Sequence, residues 1–245
     1  MLIAALLAAL FYLPRPAFAV LVAALLVLGG FEWARLCRLR TAPTWIYASA
    51  VALVFFALQY AGLQRELFAL AAVFWVVIAP LWMWRGVRPG QVTWLGAAGF
   101  AVLVPAGLAM LALRPLEVLL VLVLVWIADS VAYFVGRAWG RRKLAPAISP
   151  GKSWEGAVGG VVGAVAYAII CGYFIQGIAW PAFLASAVLL AMVSIVGDLF
   201  ESAAKRQAGV KDSGTLLPGH GGVLDRIDSA TATLPLAALL LPVVR

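Results

Sequence analysis

Apolar residues run in long stretches along this chain, and the polar ones gather in the short gaps between them. The stretches cover 2–13, 17–36, 44–62, 66–84, 93–113, 116–136, 154–175, 181–200 and 227–244. All but the first approach the ~20 residues with which a helix crosses a bilayer. The first amounts to about 18 Å of helix at 1.5 Å per residue and stops at Pro14-Arg15-Pro16. The pattern predicts an all-α, polytopic integral membrane protein of about nine transmembrane helices. It reads as a single membrane domain over 1–245, with helices 1–5 in 1–113 and helices 6–9 in 114–245. The polar loops 137–153 and 201–226 then fall on one membrane face.

Charge gives that arrangement a direction. With the N-terminus in the cytoplasm, 14 of the 18 Lys and Arg residues lie in inner loops, and only Arg15, Arg65, Arg114 and Arg245 lie outside. Basic residues favour the cytoplasmic side, so the expected orientation is N-terminus in and C-terminus out. Most tryptophans fall near the ends of the stretches, as interfacial anchors do; Trp75 and Trp126 do not. With 65% hydrophobic and only 11% charged residues, a soluble domain is excluded. The net charge of +8 is met by anionic lipid head groups, so no nucleic-acid partner is expected. Ala17-Phe18-Ala19 has the look of a signal-peptidase site, but no Lys or Arg precedes the apolar stretch, so no cleaved leader is expected. Cys37 and Cys171 form neither a metal spacing nor a disulfide framework. Gly156, Gly159, Gly160 and Gly163 share one side of the seventh helix and read as a close-packing surface.

The chemistry concentrates in 202–228, a polar island with four basic residues (Lys205, Arg206, Lys211, Arg226), three aspartates (Asp212, Asp225, Asp228) and His220, the only histidine. Such charge beside membrane-length apolar runs is costly and marks a functional site. Asp198, Glu201, Ser202 and Lys205 form one stripe of a helix that continues past the membrane. Asp225 and Asp228 sit at the start of the ninth helix, where the positive end of the dipole favours carboxylates. Acids from two facing helix ends make an oxygen-rich site suited to Mg²⁺, which takes one or two carboxylates plus water and substrate phosphates. His220 has no Cys or His companion for zinc, and the glycine-rich turn around it fits a phosphate contact. Pro150-Gly151-Lys152-Ser153 resembles the end of a P-loop, but Pro146 stands where the first glycine belongs, and that reading fails. Asp129 is an intramembrane carboxylate with Tyr133 and Arg137 along its face, read either as a site residue or as a helix-packing ion pair. Glu32 and Glu117 lie near helix ends, read as interfacial, and receive no role.

The island resembles the phosphatidate cytidylyltransferases, also called CDP-diacylglycerol synthases. Their pattern S-x-x-K-R-x-x-x-x-K-D, then P-G-H-G-G, then D-R-x-D is filled by Ser202, Lys205, Arg206, Lys211 and Asp212, by the run from Pro218 to Gly222, and by Asp225, Arg226 and Asp228. An upstream block, S-P-G-K-S-W-E-G over 149–156, is also similar, with Gly151 where the family more often has a second lysine. The resemblance covers 129–228 and implies an enzyme converting CTP and phosphatidic acid to CDP-diacylglycerol and pyrophosphate. It implies Lys152, Lys205, Arg206, Lys211, Asp212, His220 and Arg226 as catalytic groups. Asp129, Ser149, Ser153, Glu155, Ser202, Gly221 and Gly222 are expected to bind substrate, and Asp198, Asp225 and Asp228 to bind metal. Mg²⁺ is the expected cofactor, a second cation and a homodimer are further candidates, and membrane lipids are the surroundings. The expected location is a bacterial-type cytoplasmic membrane, with the site facing the cytoplasm. Two other classes stay open on the residues alone: a CTP-dependent polyprenol or phytol kinase, which would release CDP, and a transporter, whose charges would sit nearer the bilayer midplane.

Overall fold

In the computed structural model, which describes residues 2–214 and 221–244, each apolar stretch is a helix. They are α1 (Leu2–Tyr12), α2 (Arg15–Leu36), α3 (Thr41–Ala61), α4 (Gln64–Arg85), α5 (Val92–Ala112), α6 (Pro115–Trp139), α7 (Trp154–Gly172), α8 (Trp180–Ala208) and α9 (Leu224–Leu240). Seven of these, α2 to α8, are long and apolar enough to cross a membrane. The chain is therefore an all-α, multi-pass membrane protein. The expected nine is not reached on length. With 11 residues, α1 spans about 16 Å, and with 17 residues, α9 spans about 25 Å, against a hydrocarbon core of ~30 Å.

The shorter α9 is also the most enclosed of the C-terminal helices. It packs against α8, α5, α4, α6 and α2, and Thr231, Thr233 and Ser229 are buried along it. Their polar atoms are satisfied within the helix: Thr231 Oγ1 donates to the Asp228 carbonyl at 2.7 Å and Thr233 Oγ1 to that of Ser229 at 3.0 Å. Such bonding to the preceding turn is how hydroxyl side chains are tolerated inside apolar surroundings.

Two features carry polar residues out of the apolar bundle. First, α8 continues to Ala208, past the end of its apolar stretch at 200, in keeping with the helical stripe that reaches Lys205. Its 29 residues make a rod of about 44 Å, whose last turns hold Glu201, Ser202, Lys205 and Arg206. Phe200, fully buried, fixes that end within an aromatic cluster. Ring centroids of Phe74, Trp75, Trp82 and Trp33 lie 5.5, 5.8, 5.5 and 6.2 Å from it. Trp75, which fits no interfacial role, is part of this core. Gln207 adds a tether by donating to the Leu36 carbonyl at 2.8 Å.

Second, the loop expected over 137–153 contains a small antiparallel hairpin, β1 (Lys143–Ala145) and β2 (Ser149–Ser153), paired Lys143 to Ser153 and Ala145 to Ser149. Ser153 then caps α7 by accepting from the Gly156 amide at 3.1 Å. Glu155 ties the hairpin base by accepting from the Arg141 and Arg142 amides at 3.1 and 3.2 Å. The glycine side of α7 seats the hairpin against α6. A Cβ at Gly156 would meet the Ala132 carbonyl oxygen at 2.7 Å, and one at Gly160 the Ala128 carbonyl oxygen at 2.8 Å. Only hydrogen fits there, so the close-packing reading of these glycines holds.

Candidate active site

The hairpin, the end of α8 and the start of α9 meet at one end of the bundle. Lys152, on β2, forms an ion pair with Asp198 on α8. Ser202, one turn on, donates to Asp198 Oδ1 at 3.3 Å. Gly197 lets α9 come close: a Cβ there would stand 2.7 Å from the Asp228 carbonyl oxygen and 3.4 Å from the Ser229 Cα. Asp198 and Asp228 therefore sit at the crossing of two helix backbones, within electrostatic reach of each other. Asp129, from α6, is in reach of Lys152, Asp198 and Asp228. Three carboxylates on three helices thus share one region, with Lys152 as a cation among them.

One turn further along, a second group is built differently. The Lys205 ammonium lies between Asp225 Oδ1, at 2.7 Å, and Glu201 Oε1, at 3.1 Å. The Asp225 contact is a hydrogen bond, whereas the Glu201 contact is an ion pair without hydrogen-bond alignment. Asp225 also accepts from the Ser213 amide at 3.0 Å and from the Gly222 amide at 2.9 Å, and Ser213 Oγ lies 3.0 Å from it. With three N–H donors its charge is matched within the fold. Asp225 and Lys205 thus hold each other and the polar segment in place, and neither is directed at open space. Gly221, at φ +80°, supplies the left-handed turn that brings the Gly222 amide onto Asp225.

Glu32 corrects the sequence reading. It is not interfacial but buried, at 1% exposure. Its carboxylate accepts from Ser213 Oγ at 2.9 Å, the Val223 amide at 3.0 Å and the Leu224 amide at 2.8 Å. A carboxylate at the inner end of an apolar helix, with no basic residue four positions away, was the only signal for it in the sequence. Glu117 stays at its helix end, accepting from the Arg114 amide at 2.8 Å.

The remaining expected residues lie around this core. Arg206 is exposed and donates to the Ile148 and Val210 carbonyls, both at 3.3 Å, bracing the hairpin against the end of α8. Lys211 and Asp212 are exposed beside a cleft of about 420 Å³ that Arg35 and Ser213 also line. Ser149 opens β2, while Ser153 and Glu155 hold the local contacts described above. Arg226 lines a cavity of about 190 Å³ together with Asp129 and Asp228. The rest of that cavity is almost wholly apolar and includes Leu26, Met110 and Trp126. His220, with the rest of 215–220, lies outside the described residues.

Asp198 and Asp228 have the chemistry of a divalent-cation site. Lys152 already occupies a cation position at Asp198, and the only donor to the Asp228 carboxylate among the described residues is the adjoining Ser229 amide, at 2.7 Å. Among the described residues no three His, Cys, Asp or Glu side chains converge into a complete metal cage. Two carboxylates are enough for Mg²⁺, which binds through one or two of them with waters and substrate phosphates filling the rest.

Sequence comparison extends over the whole chain rather than only over the polar segment. The chain is similar to the phosphatidate cytidylyltransferase of Pseudomonas aeruginosa, 42% identical over 246 aligned residues that cover 94% of this chain and 90% of that relative. It is similar to that of Haemophilus influenzae at 38% identity over 272 aligned residues, covering 96% of this chain and 93% of the relative. The enzyme of Thermotoga maritima matches at 44% identity over 128 residues, half of this chain. Residues 1–244 match the model of the cytidylyltransferase family, and with the N-terminal helices included in that match the chain belongs to this family.

Proposed function

We propose that this protein transfers the cytidylyl group of CTP to phosphatidate, giving CDP-diacylglycerol and pyrophosphate, in phospholipid biosynthesis. The observation that carries the reading is the meeting of a carboxylate and lysine cluster with an apolar cavity at one end of the bundle. A membrane enzyme joining a water-soluble triphosphate to a lipid phosphate needs both surfaces at one depth. The names of the full-length relatives support the same reaction. A lipid kinase or a transporter has no comparable support.

The lipid's ionised phosphate oxygen attacks the α-phosphorus of CTP in line. A new P–O bond forms, the bond from the α-phosphorus to the bridging oxygen breaks, and pyrophosphate leaves with that electron pair. An ionised phosphate is already a nucleophile, so the protein's work is positioning and charge stabilisation. Arg226, on the rim of the cavity beside Asp129 and Asp228, holds the lipid phosphate while the acyl chains enter the apolar side. Lys152 releases part of its hold on Asp198 to the triphosphate, and Lys211, on the exposed segment, neutralises its outer end. Asp198 and Asp228 would hold Mg²⁺, which would supply positive charge for the triphosphate and for the departing pyrophosphate. Lys205, Asp225 and Ser202 keep the cluster in register.

The cluster faces the cytoplasm in this reading, because the basic residues concentrate in the loops on its side. Bacterial relatives point to the cytoplasmic membrane. Purified protein given CTP labelled at the α-phosphate and phosphatidate should form a labelled lipid and release unlabelled pyrophosphate. Release of labelled CDP instead would mean kinase chemistry and would end this reading.

A further inference from the structure

Glu32, from the opposite half of the chain, joins the residues on either side of the segment 215–220. Gly214 and Gly222 flank the segment, and both press onto the Glu32 carboxylate of α2. A Cβ at Gly214 would come within 2.9 Å of the Glu32 Cδ, and one at Gly222 within 2.6 Å of Oε2. The same carboxylate accepts from Ser213 before the segment and from the Val223 and Leu224 amides after it. All three donors are protein groups, and Glu32 is 1% exposed, so its charge is spent entirely inside the fold. Ser213 Oγ lies within hydrogen-bond distance of both Glu32 and Asp225, at 2.9 and 3.0 Å, and Asp225 in turn holds Lys205.

We propose that Glu32 is a positioning residue for the cytidylyl transfer, a clasp that joins Ser213 to Val223 and Leu224 and sets Asp225 through Ser213. The inference rests on the proposed reaction. Its reach is long: the bonded residues stand 181 to 192 positions apart in sequence. An apolar side chain of similar size would leave the Val223 and Leu224 amides buried without an acceptor, an arrangement proteins avoid. A glutamine retains only one oxygen, and its amide group would face a backbone donor. Ser213 and the start of α9 would then shift, and displacements of an ångström at a reacting centre can cost about a hundredfold in rate.

The test uses the full chain in detergent, with Glu32→Gln, Ser213→Ala and the double variant. Pyrophosphate release, the unfolding midpoint and amide exchange over 221–224 are measured for each. Wild-type release of pyrophosphate tests the underlying reaction; the variants, compared with wild type, test the clasp. Glu32→Gln should lower kcat roughly 10- to 100-fold, leave the KM for CTP within about twofold, and speed exchange at Val223 and Leu224. Ser213→Ala should lower kcat less, and the double variant should be no slower than Glu32→Gln. Near wild-type turnover in folded Glu32→Gln overturns the proposal, as do losses that multiply in the double variant. If Glu32→Gln does not fold, Ser213→Ala decides: reduced kcat at an unchanged melting point supports the clasp, and unchanged kcat overturns it. Should no wild-type pyrophosphate appear, accelerated exchange over 221–224 in the variants supports the clasp and unchanged exchange overturns it.

Discussion

Lys205→Met distinguishes a lysine that works on substrate from one that works on the protein. The side chains of Lys205 and Asp225 are each 11% exposed and that of Glu201 is 4% exposed. Removing the ammonium leaves two buried carboxylates near one another without the cation between them. Asp225 keeps its Ser213 and Gly222 donors, so the larger share of the loss falls on Glu201, whose Oε1 has no hydrogen-bond donor. Breaking a buried pair from one side costs about 3–5 kcal/mol, because the remaining charge stays desolvated. At about 2–4 °C per kcal/mol for a chain of this size, the unfolding midpoint should fall by roughly 6–20 °C. Thermal unfolding of the purified protein in detergent reads this directly. Adding Glu201→Gln to the variant removes the stranded charge and should restore at least half of the loss. A Lys205→Met protein that melts like wild type but has lost turnover would show that Lys205 serves the substrate phosphates, and the structural assignment would be wrong.

Other outcomes separate the remaining roles. Lys152→Ala should lower kcat by about a hundredfold, near the ~3 kcal/mol typical of losing one transition-state donor, with little change in melting, since its pair with Asp198 is about a quarter exposed on each side; an unchanged kcat returns Lys152 to an ordinary surface charge. Gly160→Leu should destabilise by at least the ~1–3 kcal/mol of an overpacked core site, because the new Cβ meets the Ala128 backbone oxygen; a stable variant would mean that α6 and α7 part easily. A chelator should silence the wild type, and added Mg²⁺ should restore it; full activity in the chelator refutes the Asp198 and Asp228 metal site. Single cysteines at Lys143 and Val244 should label from opposite sides of the membrane; labelling from one side refutes the proposed orientation.

The helices were legible because each apolar stretch has one physical meaning in a bilayer, and the starts at Thr41, Pro115 and Trp154 lie within three residues of expectation. The polar termini were less legible. The stripe from Asp198 to Lys205 made the extension of α8 legible, but the contacts of Phe200 and Gln207 with other helices, which hold it, no local pattern records. The hairpin over Lys143–Ser153 was hidden because K-L-A and S-P-G-K-S lack the alternation of a half-buried strand, and register comes from pairing alone. In the site, helical spacing placed Asp198, Ser202 and Lys205 on one face correctly. It could not say which acid would receive which cation. Asp225 and Asp228, three residues apart, look equivalent in sequence, yet one is saturated by Lys205, Ser213 and Gly222 while the other faces Asp198. Glu32 was passed over for the same reason: its partners lie in the last fifth of the chain.

That division of labour between neighbouring acids gives the site its character. From Asp198 to Lys205 is seven residues, about 10 Å along α8, and across that distance charge changes from available to committed. At the Lys205 end, Asp225 and Glu32 accept from Lys205, Ser213, Gly222, Val223 and Leu224, so their charge is committed to the fold. At the Asp198 end, Lys152 pairs with Asp198 while Arg226 shares a cavity with Asp129 and Asp228; three carboxylates from three helices repel one another there, a cost that further cations would lower. The apolar cavity opens beside that unbalanced end, at Asp129 and Asp228. A lipid phosphate entering there alone would add to the repulsion, and so would a triphosphate. In the proposed reaction both would be tolerated together with cations, so binding of the two anionic substrates would depend on the cation site and on the backbone that Asp225 and Glu32 fix.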